Sequence, residues 1–286
     1  MQPFSLRIFV AVGDPDGLRL VERSNWVGKA LMFPRALLPQ VKQRSELSQT
    51  GVYLLLGPRE DGEGDMLYVG EGDPIRPRLE SHYAQKDFWT RAVCFVAAPG
   101  QLNKAHVQFL ESNLLRLAKA AKRLPLENSN HPAEPSLSEA DRADMQVFLD
   151  NMLGMLPVMG VHAFEQPAKA SAPSGPLLTC KGKGVVATGY EASQGFVVKA
   201  GSQAVLEAVP SMLQHVRSMY DIRQELIGNG VLVRSGITYR FSQDYAFSAP
   251  STAAAVVLGR SANGRIEWKD AQGRTLKELQ AIEAGA

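Results

Sequence analysis

Apolar residues in this chain fall into short runs of two periods. Residues 5–12 (SLRIFVAV) and 17–22 (LRLVER) read as strands parted by the turn-rich segment Gly13-Asp14-Pro15-Asp16-Gly17. Residues 51–56 and 66–69 are two more apolar runs, joined by the acidic, glycine-rich loop 59–65, and together predict a hairpin. Residues 89–97 (WTRAVCFVA) give another strand. Helical patterns cover 34–45, with Pro34 in the first turn, then 76–85, 103–122 and 138–156. Ser138 and Asp141 have the spacing of a capping box.

After residue 163 the composition turns to Ala, Ser and Pro, which marks a linker over 163–176. Beyond it, strands are expected near 177–181, 184–190 and 195–200, and a helix over 208–227 that stops at Gly228-Asn229-Gly230. A strand at 237–242, a short helix at 250–259, a strand at 265–269 and a helix from Thr275 complete the pattern. Asn263-Gly264 reads as a hairpin turn, and Ser248 or Ser251 as a helix cap. The expected class is α+β: a small antiparallel sheet flanked by helices, then a second α+β domain. The expected organisation is a strand-rich extension (1–45), a central domain with its following helix (46–162), the linker and a C-terminal domain (177–286).

Composition alters this picture little. The chain has 286 residues, 45% hydrophobic and 21% charged, and a net charge of +2, too small to argue nucleic-acid binding from the global field. No run is apolar enough to span a membrane, and the N-terminus lacks a signal pattern. Cys94 and Cys180 lie far apart in strand-like runs and read as buried reduced thiols, which suits the cytoplasm.

Candidate chemistry concentrates between residues 51 and 128. Tyr53 and Tyr68 occupy the two hairpin strands, where they can share one face. A strand tyrosine is usually a core aromatic; flanking glycines set this pair apart. Arg78 and His82 are four residues apart on a helix, hence on one side, and a guanidinium matches the oxygens of a phosphate. Glu111 shares a helical face with Val107, Leu114 and Ala118. A carboxylate on such a stripe is costly unless it holds a metal or pairs, here with Arg78 or Lys104. Asn128 follows that helix closely, with Asn130 as a rival turn residue. Arg76, Lys86 and Arg91 are basic candidates for contacts to DNA.

In order, Gly51-Val52-Tyr53, Tyr68-Val69-Gly70, Arg78-Leu79-Glu80-Ser81-His82, the LESNLL stretch at 110–115 and Asn128 resemble the GIY-YIG nuclease family over about residues 50–130. The resemblance implies hydrolysis of phosphodiester bonds in DNA, in restriction, defence or repair. It implies one tyrosine as proton acceptor, Arg78 on the scissile phosphate, His82 beside a tyrosine, Asn128 ordering the site, and Mg²⁺ or Mn²⁺ held by Glu111. The alternative is a catalytically silent nucleic-acid-binding or regulatory protein on the same scaffold. The acidic loop (Glu60, Asp61, Glu63, Asp65), with Glu71 and Asp73, would repel a phosphate backbone.

Residues of about 225–280, among them Phe241, Asp244-Tyr245, Gly259-Arg260 and Trp268-Lys269, resemble DUF4357, a domain of unknown function. The pattern is also similar to a small module found beside restriction and DNA-methylation enzymes. Arg260, Arg265, Lys269 and Arg274 are its candidate phosphate contacts, and Trp268 its candidate core residue.

Overall fold

A computed structural model describes residues 3–59, 64–130, 132–165, 175–192 and 195–285. Glu60, Asp61 and Glu63 of the acidic loop lie outside the described residues, as do residues 166–174 of the expected linker. The chain divides into two compact units, Met1–Glu165 and Gln166–Ala286, both α+β as expected.

The first unit is built on an antiparallel sheet. Its strands are β1 (Leu6–Val10), β2 (Arg19–Arg23), β3 (Gly28–Pro34), β4 (Gly51–Pro58), β5 (Asp65–Gly72) and β6 (Arg91–Ala97), in the spatial order β1-β2-β3-β6-β4-β5. Strand β3 pairs with β6 from Gly28↔Ala97 to Pro34↔Arg91, so the first three strands extend the sheet that carries the hairpin. The expected helix over 34–45 is a single turn of 3-10 helix followed by α1 (Leu38–Val41).

Strand parity sorts side chains onto two faces. Val52, Leu54 and Leu56, with Val93 and Phe95, face α3 (Lys104–Ala121) and α4 (Glu139–Met155). Tyr53 and Leu55, with Ala92 and Cys94, face α2 (Arg76–Gln85), whose Leu79 is buried among them. Both cysteines are free and buried, and burial pushes their thiols up, Cys180 to about 12. Helix α3 starts at Asn103, whose side chain accepts from the His106 amide, and ends at Lys122 in the left-handed region. Ser138 caps α4 by accepting from the Asp141 amide.

In the second unit, β7 (Leu178–Gly182), β8 (Val185–Ala192) and β9 (Gly195–Val198) form a sheet joined later by β13 (Tyr245–Phe247). A three-stranded sheet runs β10-β12-β11, with β10 (Gln203–Val205), β11 (Leu232–Ser235) and β12 (Thr238–Phe241). The helices are α5 (Pro210–His215), α6 (Arg217–Gly228), α7 (Pro250–Leu258), α8 (Gly264–Glu267) and α9 (Leu276–Glu283). The helix expected over 208–227 is therefore broken, at Val216.

Three further local expectations are corrected. Residues 264–267 are a helical turn, not a strand, because Asn263 caps it by accepting from the Arg265 amide instead of making a hairpin turn. Lys269 joins only isolated bridges, to Thr179 and Thr275. Neither Ser248 nor Ser251 caps α7; Ala249 holds that position, and the Ser251 hydroxyl accepts from the Gly264 amide. That contact is possible because Gly264 lacks a Cβ, which would stand 2.1 Å from the Pro250 carbonyl carbon. Trp268 fills the core, 4.5 Å from the Phe196 ring between centroids, and donates to the Pro250 carbonyl.

Candidate active site

Strand β4 lies between β5 and β6, so Tyr53 has no route to solvent and is fully buried. Its register partner is Gly70, and Tyr68 sits opposite Leu55, which makes the two tyrosines diagonal neighbours on one face. Their rings stack with centroids 6.2 Å apart. Glycine is required at position 70, because a Cβ there would meet Tyr53 Cζ at 2.4 Å and its hydroxyl at 2.5 Å. Burial raises the Tyr53 phenol far above its ordinary value, and Tyr68 less so, since it is only half-buried.

Helix α2 lies against this face. Pro77, in its first turn, gives up no needed donor. The i,i+4 spacing brings Arg78 and His82 to the tyrosines. A 2.9 Å hydrogen bond links His82 Nε2 to the Tyr53 hydroxyl, and the imidazole meets the Tyr68 ring edge-on at 4.7 Å. Burial, then the charges of Arg78 and Lys86, depress His82 to about 4, so it is neutral at pH 7. Arg78 is exposed, and the phenol of Tyr53 beside it strengthens its hold on its proton.

Glu111 approaches from α3. Strand β5 is the sheet edge and both α2 and α3 pack on it, so groups from opposite faces come together there. Glu111 is close enough to Tyr53, Tyr68 and Arg78 to shift their titration or be shifted by them. Burial, then the Glu71 carboxylate, push its own pKa up to about 7, against the pull of Arg78 and Lys104. Glu71 is itself paired with Lys104, Nζ to Oε1 at 2.5 Å.

Among the described residues, no group of three or more His, Cys, Asp and Glu side chains is placed to hold a metal. Mg²⁺ needs fewer protein ligands, commonly one or two carboxylates with waters. Glu111 fits that need. Its proton is held by poor solvation and a neighbouring negative charge, the two conditions that a divalent cation would reverse.

Asn128 orders the edge strand. Its side-chain oxygen accepts from the Val69 amide at 2.9 Å and its amide donates to the Val69 carbonyl at 2.7 Å. It continues a short parallel pairing in which Leu67 bonds Pro125 and Glu127 through the backbone. The rival Asn130 is exposed.

Of the three basic candidates, Lys86 reaches this group and Arg91 lies away from it. Lys86 stands 5.1 Å from the Tyr68 ring centroid but pairs with Glu127 at 2.5 Å. Arg76 pairs with Glu80 at 3.5 Å. Arg91 has the parity of Val93 and Phe95, on the sheet face away from Tyr53, and donates to the Gly160 carbonyl at 3.4 Å. Strand parity was the signal that separates it. Glu71 and Glu127 were not among the expected site residues, yet they set the charge around Glu111 and Lys86.

Residues 178–280 match a family described as a domain of unknown function (DUF4357). The matched region starts near the beginning of the second unit, well before residue 225, and takes in every second-unit strand. No curated protein and no solved structure matches the chain. Among the described residues, no helix is long and apolar enough to cross a membrane.

Proposed function

We propose that the first unit is a metal-dependent endonuclease of the GIY-YIG kind that hydrolyses phosphodiester bonds in DNA. One observation carries the reading: a half-buried, proton-retaining carboxylate, Glu111, within electrostatic reach of two stacked phenols and an exposed guanidinium.

Held by Glu111, Mg²⁺ or Mn²⁺ would supply positive charge to the phosphoryl and leaving oxygens. The chain's own groups do the rest. Arg78 offers a planar fork to the phosphate. His82 Nδ1 is buried with no partner among the described residues. A bare lone pair costs less there than an orphaned N–H, so the proton of this neutral ring belongs on Nε2. Nε2 then donates to the Tyr53 oxygen, and the Tyr53 hydroxyl is free to donate to Tyr68. Tyr68, half-buried and flanked by Arg78, is the phenol suited to act as base; it takes the proton of the attacking water as the phenolate, a form that burial and the Glu111 charge oppose and the Arg78 charge favours. Tyr53 positions it.

A second reading, a catalytically silent regulatory or interaction protein on the same scaffold, is favoured by charge. Residues 1–165 carry 18 Lys and Arg against 20 Asp and Glu, net −2, and Arg76, Lys86 and Lys104 are all ion-paired.

The test is nicking of supercoiled plasmid in Mg²⁺ or Mn²⁺ by wild type and by Glu111→Ala. Cleavage confined to wild type supports the enzyme. Equal nicking by both removes Glu111 from the chemistry, and no nicking by wild type in either metal favours the second reading.

A further inference from the structure

The second unit has the opposite charge balance to the first: residues 166–286 carry 13 Lys and Arg against 9 Asp and Glu, net +4. Of the four basic side chains singled out in the sequence, Lys269 is exposed and three are engaged. Arg260 pairs with Glu267 at 2.7 Å, Arg274 with Asp270 at 2.7 Å, and Arg265 donates to Gln280 at 2.9 Å.

Free cations lie on the sheets. On β7 and β8, Leu178, Cys180, Val185 and Ala187 point into the core, so Lys181 and Val186, which are register partners, point out. The Val186 amide donates to Gln203 Oε1, which carries the row from β8 onto β10. Gln203 is the register partner of Arg240, and Arg240 of Val233. Lys181 and Val186 on one sheet, and Gln203, Arg240 and Val233 on the other, thus form a row that the Val186–Gln203 bond joins. All are exposed except Gln203, which is half-buried. Among the described residues, neither Lys181 nor Arg240 forms an ion pair or a side-chain hydrogen bond. Lys183, in the β7–β8 turn, and Arg234, on β11, are likewise exposed and unpaired among the described residues. No carboxylate interrupts the row; Asp244, just beyond β12, accepts from the Ala200 amide.

Along the strands from Arg240 and Val233, the β11–β12 hairpin turns through Gly236, at φ 63°, and lifts Ile237, three residues before Arg240, to 88% exposure. An apolar residue so presented, beside cations, resembles the wedges that proteins insert between base steps, more than a misplaced core residue. Lys181 stands one strand step of about 4.8 Å from Val186, and Arg240 one such step from Gln203, on two sheets that meet through the Val186–Gln203 bond.

We propose that this outer sheet face, from Lys181 to Val233 with Ile237 at its rim, docks on the phosphate backbone of duplex DNA. The proposal takes DNA from the reading above but does not depend on cleavage. Lys181 and Arg240 neutralise phosphates, and Ile237 enters the groove at the hairpin rim.

The test is fluorescence anisotropy of a labelled duplex with the full chain in EDTA, across a salt series. Neutralising two phosphate contacts lowers the slope of log affinity on log salt by about two and weakens binding about tenfold or more at moderate salt. Lys181→Gln/Arg240→Gln is expected to show both effects, and Lys181→Arg/Arg240→Lys to bind as wild type does. The exposed pair Arg217→Gln/Lys277→Gln, on α6 and α9, serves as control. Wild-type affinity in the neutralised variant, equal loss in the control, or no duplex binding by wild type overturns the proposal. Plasmid nicking is read separately in Mg²⁺: wild-type binding that depends on the row without nicking leaves this surface standing and removes the nuclease. Nicking with unchanged binding in the row variant does the reverse.

Discussion

Replacing Glu111 by glutamine removes one ionisation and little volume. In the folded chain that carboxyl holds its proton to about pH 7, against an ordinary 4.5. The shift is upward, so the stability tied to the proton is complete below about pH 4.5 and is lost as pH rises through 7. A displacement of that size corresponds to ~3 kcal/mol for a dry site, and solvent reaching the half-exposed carboxylate reduces it to about 1–2 kcal/mol. Glutamine never ionises and escapes the penalty. Thermal unfolding at pH 5 and pH 8 in EDTA reads the difference. Relative to wild type, Glu111→Gln should gain about 1–2 kcal/mol at pH 8 over its standing at pH 5, roughly 2–6 °C in Tm for a unit of this size. Mg²⁺ at about ten times its Kd should then return roughly 1.4 kcal/mol to wild type at pH 8 and nothing to the variant. Parallel melting of the two proteins across that pH range, or equal stabilisation of both by Mg²⁺, would refute the picture of a poorly solvated carboxylate awaiting a cation.

Tyr68→Phe should lower cleavage by about 10²–10⁴-fold, the usual worth of a positioned base, in single-turnover assays. Tyr53→Phe, which deletes a bond to His82, should cost less in rate and about 1 kcal/mol in stability by denaturant unfolding; the reverse ranking exchanges the two roles. Gly70→Ala drives a methyl into the Tyr53 ring and should abolish nicking while far-ultraviolet circular dichroism stays unchanged; a fully active Gly70→Ala would show that the ring can move freely. Asn128→Ala loses both bonds to Val69 and should destabilise by about 1–3 kcal/mol with reduced cleavage, while Asn130→Ala should melt and cut as wild type does.

Much of the fold is legible where one period dominates. Residues 51–56 and 66–69 are apolar runs beside glycines, and both become sheet strands: β4 is buried on both faces, while β5, at the edge, leaves Met66 and Tyr68 half-buried. Helix α3 announces itself by its apolar stripe, and Thr275 by a capping box that forms with Glu278. Strand β3 was not assigned, since nothing local tells the run from Gly28 to Pro34 that β6 will cover it. The turn at 264–267 is short enough for a single cap to decide, and Asn263 decided it for helix.

The site follows the same division. Spacing brings Arg78 to His82, and hairpin parity brings Tyr53 to Tyr68, because both relations are local. The pairings that neutralise Lys86 with Glu127 and Lys104 with Glu71 join residues 41 and 33 positions apart and depend on where β5 and its neighbours close up. The free cations of the second unit were hidden for a related reason: which arginines lack acidic partners is fixed by sheet register, and composition carries no trace of it.

The most direct measurement is anomalous scattering from a crystal of the Tyr68→Phe chain soaked with Mn²⁺ and a short duplex. A manganese peak against the Glu111 carboxylate, with the Arg78 guanidinium on a phosphate and the residue 68 ring facing it, is the expected result. Manganese bound elsewhere, or a duplex whose phosphates avoid Arg78 while Glu111 stays bare, contradicts it.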